Sequence, residues 1–558
     1  MKIRSLCSLF ISLVYVLLLC SCGVRKSTNH KPDVQIYNAK KPIITNHSDS
    51  LITTNTGDVL LKNEYQLWEM YIKADNPLEL GYKMGALYQP LYNYQEEVFF
   101  DKIQELIPSK FKQKLLQGFL KWYNRKLYLH VPEYLKSEIY GVSEYASDKY
   151  DYLSNAYLRN LYMHGAHDIG HAFEDLALVG CSSIALSGEN TQDGKMLIGR
   201  NFDFYLGDDF AKNKIVSFIV PPFGYKFMSV GWAGMSGVVS GMNEKGLTVT
   251  INASKSDIPL VAKKPIAILA REILQNAANI QEAVSIAKES QVFVSESIMI
   301  GSKEDKKAIL IEISPKNFDI FELEMSQPLI CTNHFQSKAY QNQKNHIQNI
   351  EQGFSKYRFE RIEELLKQLE KFSPNDMVKI LRDYKGLNDK EIGLNNEKSI
   401  NQLHTHHSVV FQPEDLIVWV STEPYQLGTF IAFDLNKIFG LEDFSSIQNS
   451  YYNNTIASDI FIRSDEFADY QEYRILDDVI DYKLKNKLDI DKITLDNYQK
   501  CNPEFWKVYY KIGCYYQQKG YYNAALSQYK KALEKEVTTQ IERTKIQQKI
   551  KKIERKLR

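Results

Sequence analysis

Val179-Gly180-Cys181-Ser182-Ser183, followed by Gly199-Arg200-Asn201-Phe202-Asp203, is the stretch on which the reading of this 558-residue chain turns. Before it the pattern is mainly helical; after it come short runs rich in β-branched and aromatic residues. A cysteine that attacks an amide needs a base for its thiol proton, a site for the carbonyl, and donors for the oxyanion. A cysteine at a chain terminus carries its own base, because an α-amino group has a pKa of about 7.7–8.0. Making that terminus means breaking the Gly180–Cys181 bond. The thiol can attack the preceding carbonyl to give a thioester that water opens, and Gly180, lacking a side chain, leaves the carbonyl accessible. Taken alone, Gly-Cys-Ser-Ser reads more readily as a buried cysteine opening a strand.

Other motifs follow in order. Gly241-Met242-Asn243-Glu244-Lys245-Gly246-Leu247 reads as strand-turn-strand and leads to Asn252; Thr332-Asn333 and Tyr357-Arg358-Phe359-Glu360-Arg361 come later. Together with Cys181 and the Arg200-x-x-Asp203 pair, they resemble the N-terminal-nucleophile hydrolases of the choloylglycine hydrolase (penicillin V acylase) and isopenicillin-N acyltransferase families, over about residues 64–435. The resemblance implies an α+β fold, a four-layer αββα sandwich, with Cys181 as nucleophile exposed by cleavage after Gly180. It also implies roles for the rest. Arg200 would favour the thiolate, and Asp203 would orient the new α-amino group. Asn252, with a backbone N–H, would hold the oxyanion, and Asn333 would orient the amine or the scissile carbonyl. Arg358 would balance Asp203 or Asn333; its other reading is a surface salt bridge on the helix it opens. Tyr71, Asn76-Pro77, Gly81 and Gly85 resemble the opening of the long leading segment that acyltransferase-type members keep as a separate subunit. The implied activity is hydrolysis or acyl transfer at the linear amide of a small N-acyl compound, without a cofactor. Hydrolase and acyltransferase share every named residue.

Composition fits a folded globular protein of two or three domains: 44% apolar and 25% charged residues, with a formal net charge of +1 that offers no overall field for nucleic acid. Residues 1–22 read as an export signal, with Lys2 and Arg4 ahead of an apolar run from Leu9 to Leu19. Leu19-Cys20-Ser21-Cys22-Gly23 resembles a bacterial lipobox with Cys22 as the lipidated residue, which implies a lipid-anchored protein of the cell envelope. Residues 23–60 read as a flexible spacer, 61–180 as a helical segment opening with one short strand, and 181–440 as the catalytic domain. Strand groups flank paired helices there, which suggests two sheets between helical layers. Within it, Pro265–Lys288 is expected to be helical and Val409–Val420 to form one strand of a final pair. Pro132 is placed in the first turn of a helix, and Leu106, Phe111, Leu115 and Phe119 on an apolar helical face.

Residues 441–500 read as a connection and 501–558 as a helical tail. In that tail Tyr509, Ile512, Gly513, Tyr516, Gly520, Tyr522, Ala525, Tyr529 and Ala532 resemble one tetratricopeptide repeat. Its basic end reads as an amphipathic capping helix. Seven cysteines give no disulfide framework. His164, His167 and His171 could share a helix face but lack a metalloprotease Glu between them, and no metal is assigned. His404, His406 and His407 suggest substrate contact or surface exposure. Cys331 is a rival nucleophile whose preceding Leu329-Ile330 run reads as a buried strand. A second class of function remains open: a surface lipoprotein with an inactive hydrolase-like body that binds ligands or protein partners through its tail.

Overall fold

The computed structural model describes residues 23–165, 168, 180–204, 207–255, 261–324, 326–444, 447 and 454–558. The export signal, Cys22, His167 and His171 lie outside the described residues.

Among the described residues seventeen strands form two sheets. In chain order they are β1 (Ile44–His47), β2 (Leu51–Thr54), β3 (Val59–Lys62), β4 (Trp68–Lys73), β5 (Ser182–Leu186), β6 (Leu197–Phe202), β7 (Ile215–Val220), β8 (Phe227–Gly231) and β9 (Ser240–Asn243). Then come β10 (Leu247–Ala253), β11 (Glu296–Ser302), β12 (Lys307–Ile313), β13 (Phe318–Phe321), β14 (Leu329–Cys331), β15 (His407–Gln412), β16 (Ile417–Ser421) and β17 (Phe430–Asp434). The larger sheet runs β1-β2-β3-β4-β7-β8-β9-β10-β11-β12-β13 and the smaller β14-β5-β6-β15-β16-β17. Neighbours are antiparallel except β4 and β7, which pair in parallel from Trp68↔Ile215 to Lys73↔Val220.

The two-residue period of a strand sorts side chains between the faces. On β10, Val249 and Ile251 join a core with Leu80, Met84 and Leu87 of the helix Pro77–Leu106, with Leu135 and Ile139 of the helix Glu133–Ser143, and with Ile266 to Leu274 of the helix Ile266–Asn276. A second core lies between the sheets, joining Val216, Phe218, Met242 and Met299 of one to Ile198, Val409, Phe411 and Val418 of the other. A third joins Ile184, Leu197 and Val410 of the smaller sheet to Ile362, Met377 and Leu381 of the helices Ser355–Leu366 and Pro374–Leu381. Asn76 caps the first long helix by accepting from the Glu79 N–H at 2.9 Å, with Pro77 in the first turn. Gly81 and Gly141 let that helix cross the helix Glu133–Ser143 closely: a Cβ on Gly81 would stand 2.1 Å from the Glu138 carbonyl oxygen.

Several expectations are corrected. Residues 44–62 are not a spacer but three strands that extend the larger sheet. The four-residue strands are too short to show periodicity, but Ile52 and Leu60 are buried, and Gly57 at φ +81° turns β2 into β3. Phe111 and Leu115 do not face a core: on the helix Lys110–Tyr123 they are 71% and 59% exposed, and Phe119 meets the core's edge by stacking on Tyr123. Pro132 is the N-cap of its helix, just outside the first turn. Val409–Val420 is two strands, because Pro413-Glu414-Asp415 makes a turn completed by Leu416 at φ 56°. Residues 441–500 are more than a connection. The helices Asp465–Lys485 and Lys492–Cys501 pack with Trp506–Gln518, Tyr522–Glu534 and Gln540–Leu557 around Tyr473, Tyr498, Phe505 and Tyr529. Leu394, Leu403 and Leu427 enter that same core, which joins the tail to the rest of the chain. Among the described residues no helix is long and apolar enough to cross a membrane.

Candidate active site

The β5–β6 hairpin sets the site. Its register pairs Ser182 with Asn201 and Ser183 with Arg200, so Cys181 and Asp203 stand together just beyond the ladder. The Gly180 N–H donates to the Asp203 carbonyl at 3.0 Å and closes that end. Alternation then decides direction. Cys181, Ser183 and Arg200 face the larger sheet, whereas Ser182 and Asn201 face the helices.

Arg200 spans the gap between the sheets. Its Nη2 lies 3.7 Å from the Cys181 Sγ and donates to the Ile251 carbonyl; its Nη1 donates to the Val239 carbonyl at 2.8 Å and to the Ser240 hydroxyl. The guanidinium also sits over the Phe202 ring, 4.4 Å from its centre. On the other face Arg358, buried in the helix Ser355–Leu366, donates to the Cys181 carbonyl at 2.7 Å, to the Ser182 hydroxyl at 2.8 Å and to the Asn333 Oδ1 at 2.5 Å. A surface salt bridge is thereby excluded for Arg358. The Asn333 Nδ2 donates to the Ala253 carbonyl at 2.9 Å. The Asn252 Oδ1 accepts from the Ser183 hydroxyl at 2.8 Å, and its Nδ2 donates to the Cys331 carbonyl at 3.1 Å. Asn252 therefore ties β10 to β5 and β14. The Asp203 Oδ1 accepts from the Thr405 hydroxyl at 2.6 Å, while its Oδ2 meets no donor among the described residues.

Burial dominates the electrostatics. It pushes the Cys181 thiol up to about 11; Arg200 acts in the expected direction, toward thiolate, but burial outweighs it. Desolvation of a fully buried sulfur outweighs one cation that is itself desolvated and shared among carbonyls. Burial likewise raises Asp203 to about 7, with Thr405, Arg358 and Arg200 pulling it down. Glu296, on β11, is fully buried with neither carboxylate oxygen hydrogen-bonded among the described residues, and burial holds it well above the usual range. Burial thus raises both the Cys181 thiol and the Asp203 carboxyl, and the carboxylate's charge pushes the thiol further up.

All six residues singled out in the sequence come into one connected region. Ser183, quoted in the motif but given no role there, donates to Asn252, whereas Thr405 on Asp203 and Gln402 on the Gly180 carbonyl belong to no motif. Polar residues on either side of Leu403, from Asn401 to Thr405 ahead of β15, were the available signal. His406 and His407 are not surface residues. β15 is an interior strand, and the pair is buried with Nδ1 atoms 2.9 Å apart, His407 also reaching the Ser240 hydroxyl at 2.8 Å. His164 is a core residue whose ring nitrogens meet the Asn160 carbonyl at 2.8 Å and the Ser236 N–H at 2.9 Å. Cys331 lies buried in β14, and burial raises its thiol. The cysteines of the described residues are free thiols: Cys181, Cys331, Cys501 and Cys514. Asp469, Glu472 and Cys501, in the C-terminal helices, bring potential ligand atoms within 4.8 Å of one another.

The family described as acyl-coenzyme A:6-aminopenicillanic acid acyl-transferase matches residues 189–424, a span that holds Arg200, Asp203, Asn252, Asn333 and Arg358 and begins after Cys181. Among particular relatives, an uncharacterized protein of Archaeoglobus fulgidus is 24% identical over 275 residues. That match covers 45% of this chain and 45% of that protein, so the chain spans about half the length of the curated relative. Among solved structures, the Caenorhabditis elegans ortholog of N-acylethanolamine-hydrolyzing acid amidase is 19% identical, covering 42% of this chain and 93% of its own, at a TM-score of 0.30. A mutant conjugated bile acid hydrolase from Clostridium perfringens is 16% identical, with 48% and 95% covered and a TM-score of 0.33. Penicillin V acylase from Agrobacterium tumefaciens is 14% identical, with 46% and 87% covered and a TM-score of 0.29.

Proposed function

We propose that the chain cuts itself between Gly180 and Cys181 and then acts as an N-terminal-cysteine amidohydrolase or acyltransferase on the linear amide of a small N-acyl compound. The observation that carries this reading is the placement of Cys181: buried, its sulfur 3.7 Å from Arg200 and its carbonyl held by Arg358. The acyl-transferase family match over residues 189–424 points to the same chemistry. In the uncut chain the thiol is neutral, and Asp203 is the carboxylate whose field acts on it most strongly. Asp203 accepts the thiol proton as sulfur attacks the Gly180 carbonyl, and Arg200 steadies the thiolate. After cleavage the freed α-amino group takes over as base for turnover. The substrate amide carbonyl then meets the sulfur, the amine leaves, and the thioester passes its acyl group to water or to a second amine. Asn252 supplies an oxyanion donor once its amide turns from the Cys331 carbonyl.

We read the three cores as those of a four-layer αββα arrangement, and the C-terminal helices as an appended, tetratricopeptide-like unit. Residues 22–180, with the lipid-bearing cysteine at their start, remain as a second chain after the cut. Export through residues 1–22 and lipid anchoring at Cys22 complete the proposal and place the enzyme at a bacterial envelope. A denaturing gel tests the reading: wild type splits into two fragments and Cys181→Ala stays whole. Wild type that stays whole yet turns over acyl amides would falsify self-processing. A screen of acyl amides with mass-spectrometric detection of acid and transfer products then identifies the reaction.

A further inference from the structure

Gln402 plays no part in the mechanism above, yet its side chain meets the bond that has to break. Its Nε2 donates to the Gly180 carbonyl oxygen at 3.2 Å, and both residues are buried. Approach this close depends on Gly180 lacking a side chain. A Cβ there would stand 2.3 Å from the Gln402 Nε2 and 3.0 Å from its amide carbon and oxygen. The other side of Gly180 is fixed as well, by its N–H to the Asp203 carbonyl at 3.0 Å. One residue is therefore clamped at both polar groups of its backbone.

The loop that carries Gln402 is held on both sides. The Asn401 N–H donates to the Asp383 carbonyl at 2.8 Å, and the Asn401 Oδ1 accepts from the Leu403 N–H at 3.0 Å. Leu403 sits at φ 51°, a conformation that persists where the surroundings over-determine it. Its carbonyl accepts from the Tyr470 hydroxyl at 3.0 Å. Thr405 then binds Asp203, and the His406 N–H donates to the Phe202 carbonyl at 3.0 Å. This short loop thus touches the Gly180 carbonyl through one residue and the Asp203 carboxyl through another.

We infer that Gln402 is a catalytic residue of the self-cleavage step, its amide N–H stabilising the oxyanion that forms on the Gly180 carbonyl when the Cys181 sulfur attacks. The inference rests on the self-processing reading and deepens it. In the first half the S–C bond to Gly180 forms, the C–N bond to Cys181 breaks, and the thiol proton ends on the departing α-nitrogen. In the second half water adds to the thioester carbon, the S–C bond breaks, and a proton returns to sulfur, leaving the Gly180 carboxyl. Negative charge develops on the same oxygen in both halves. A pre-placed donor costs no reorganisation there, and loss of one such donor typically slows a reaction by about 10²–10³-fold.

Two variants of nearly unchanged length separate donation from mere filling of space. Gln402→Met removes the donor at every pH, whereas Gln402→Glu donates only while its carboxyl is protonated. Cleavage rates of full-length precursors are followed on denaturing gels from pH 5 to 9, each divided by the wild-type rate at the same pH. The expected Gln402→Met ratio is about 10⁻²–10⁻³ and flat; the Gln402→Glu ratio falls as pH rises. Should Gln402→Met fail to fold, the pH-dependent ratio of Gln402→Glu still decides. Variants that cut as fast as wild type at every pH overturn the role of Gln402 and leave self-processing standing. A wild type that stays whole overturns self-processing itself.

Discussion

Asp203 shows how one buried group links chemistry to stability. Its side chain is raised to about 7 from an ordinary value of 3.8, chiefly by burial. Between those values the folded chain holds a proton that the unfolded chain has released. Stability therefore falls as pH rises through that window and levels off above it. Asp203→Asn removes this contribution. Its melting temperature, compared with that of wild type, should gain steadily from about pH 4 to about pH 7 and then stay parallel. Equal slopes for the two proteins across that range would show that Asp203 is not raised. The same ionisation should make wild-type cleavage speed up toward pH 7, since only the carboxylate form can take the thiol proton.

Residue chemistry was more legible in the sequence than residue surroundings. Cys181, Arg200, Asp203, Asn252, Asn333 and Arg358 sit in ordered motifs, and the structure gathers all six. Gln402 could not be found the same way, because it acts through a loop whose position depends on contacts more than sixty residues away. Asn252 could be placed near the site but not given its partners, since cross-strand register lies outside any local pattern.

At the scale of elements, two glycines make opposite predictions. Replacing Gly by Ala inside a helix normally stabilises by up to about 1 kcal/mol. At Gly118, where nothing lies within 4 Å of an added Cβ, Gly118→Ala should raise stability by that order, seen as a higher urea midpoint. At Gly81 the new carbon would press on the Glu138 backbone at 2.1 Å, and overpacking of about 1–3 kcal/mol outweighs the gain. Gly81→Ala should therefore lower the midpoint. If both variants shift the same way, the close crossing of the two helices is not tight. The expected apolar face of the helix Lys110–Tyr123 failed for a related reason. Its spacing of Phe111, Leu115 and Phe119 is that of a buried stripe, but spacing cannot say whether another element arrives to cover it. β1 to β3 erred in the other direction, their burial coming from joining a sheet that no four-residue run announces.

For the whole molecule, the C-terminal helices bear on the site although they contribute no residue to it. Tyr470 lies in their core and donates to the Leu403 carbonyl, one residue from Gln402. Thr538 and Glu536 grip Asn396, Glu397 and Lys398 just upstream. Tyr470→Ala should cost about 3–5 kcal/mol, as for other large aromatic truncations, and should also slow self-cleavage. Hydrogen exchange supplies the sharper readout: amides at 398–405 should lose protection while those of β9 and β10 keep theirs. Uniform loss across the molecule would mean that the helices stabilise the chain generally and do not brace this loop.

Under the proposed self-cleavage, the parallel pairing of β4 with β7 has a consequence for the later history of the chain. A break after Gly180 leaves β4 on one polypeptide and β7 on another, laced into a common sheet by six residue pairs. Before the break, renaturation is a first-order event within one molecule. Afterwards it is an encounter of two, and dilution works against it. The mature form is then assembled once and, after being unravelled, is not readily remade.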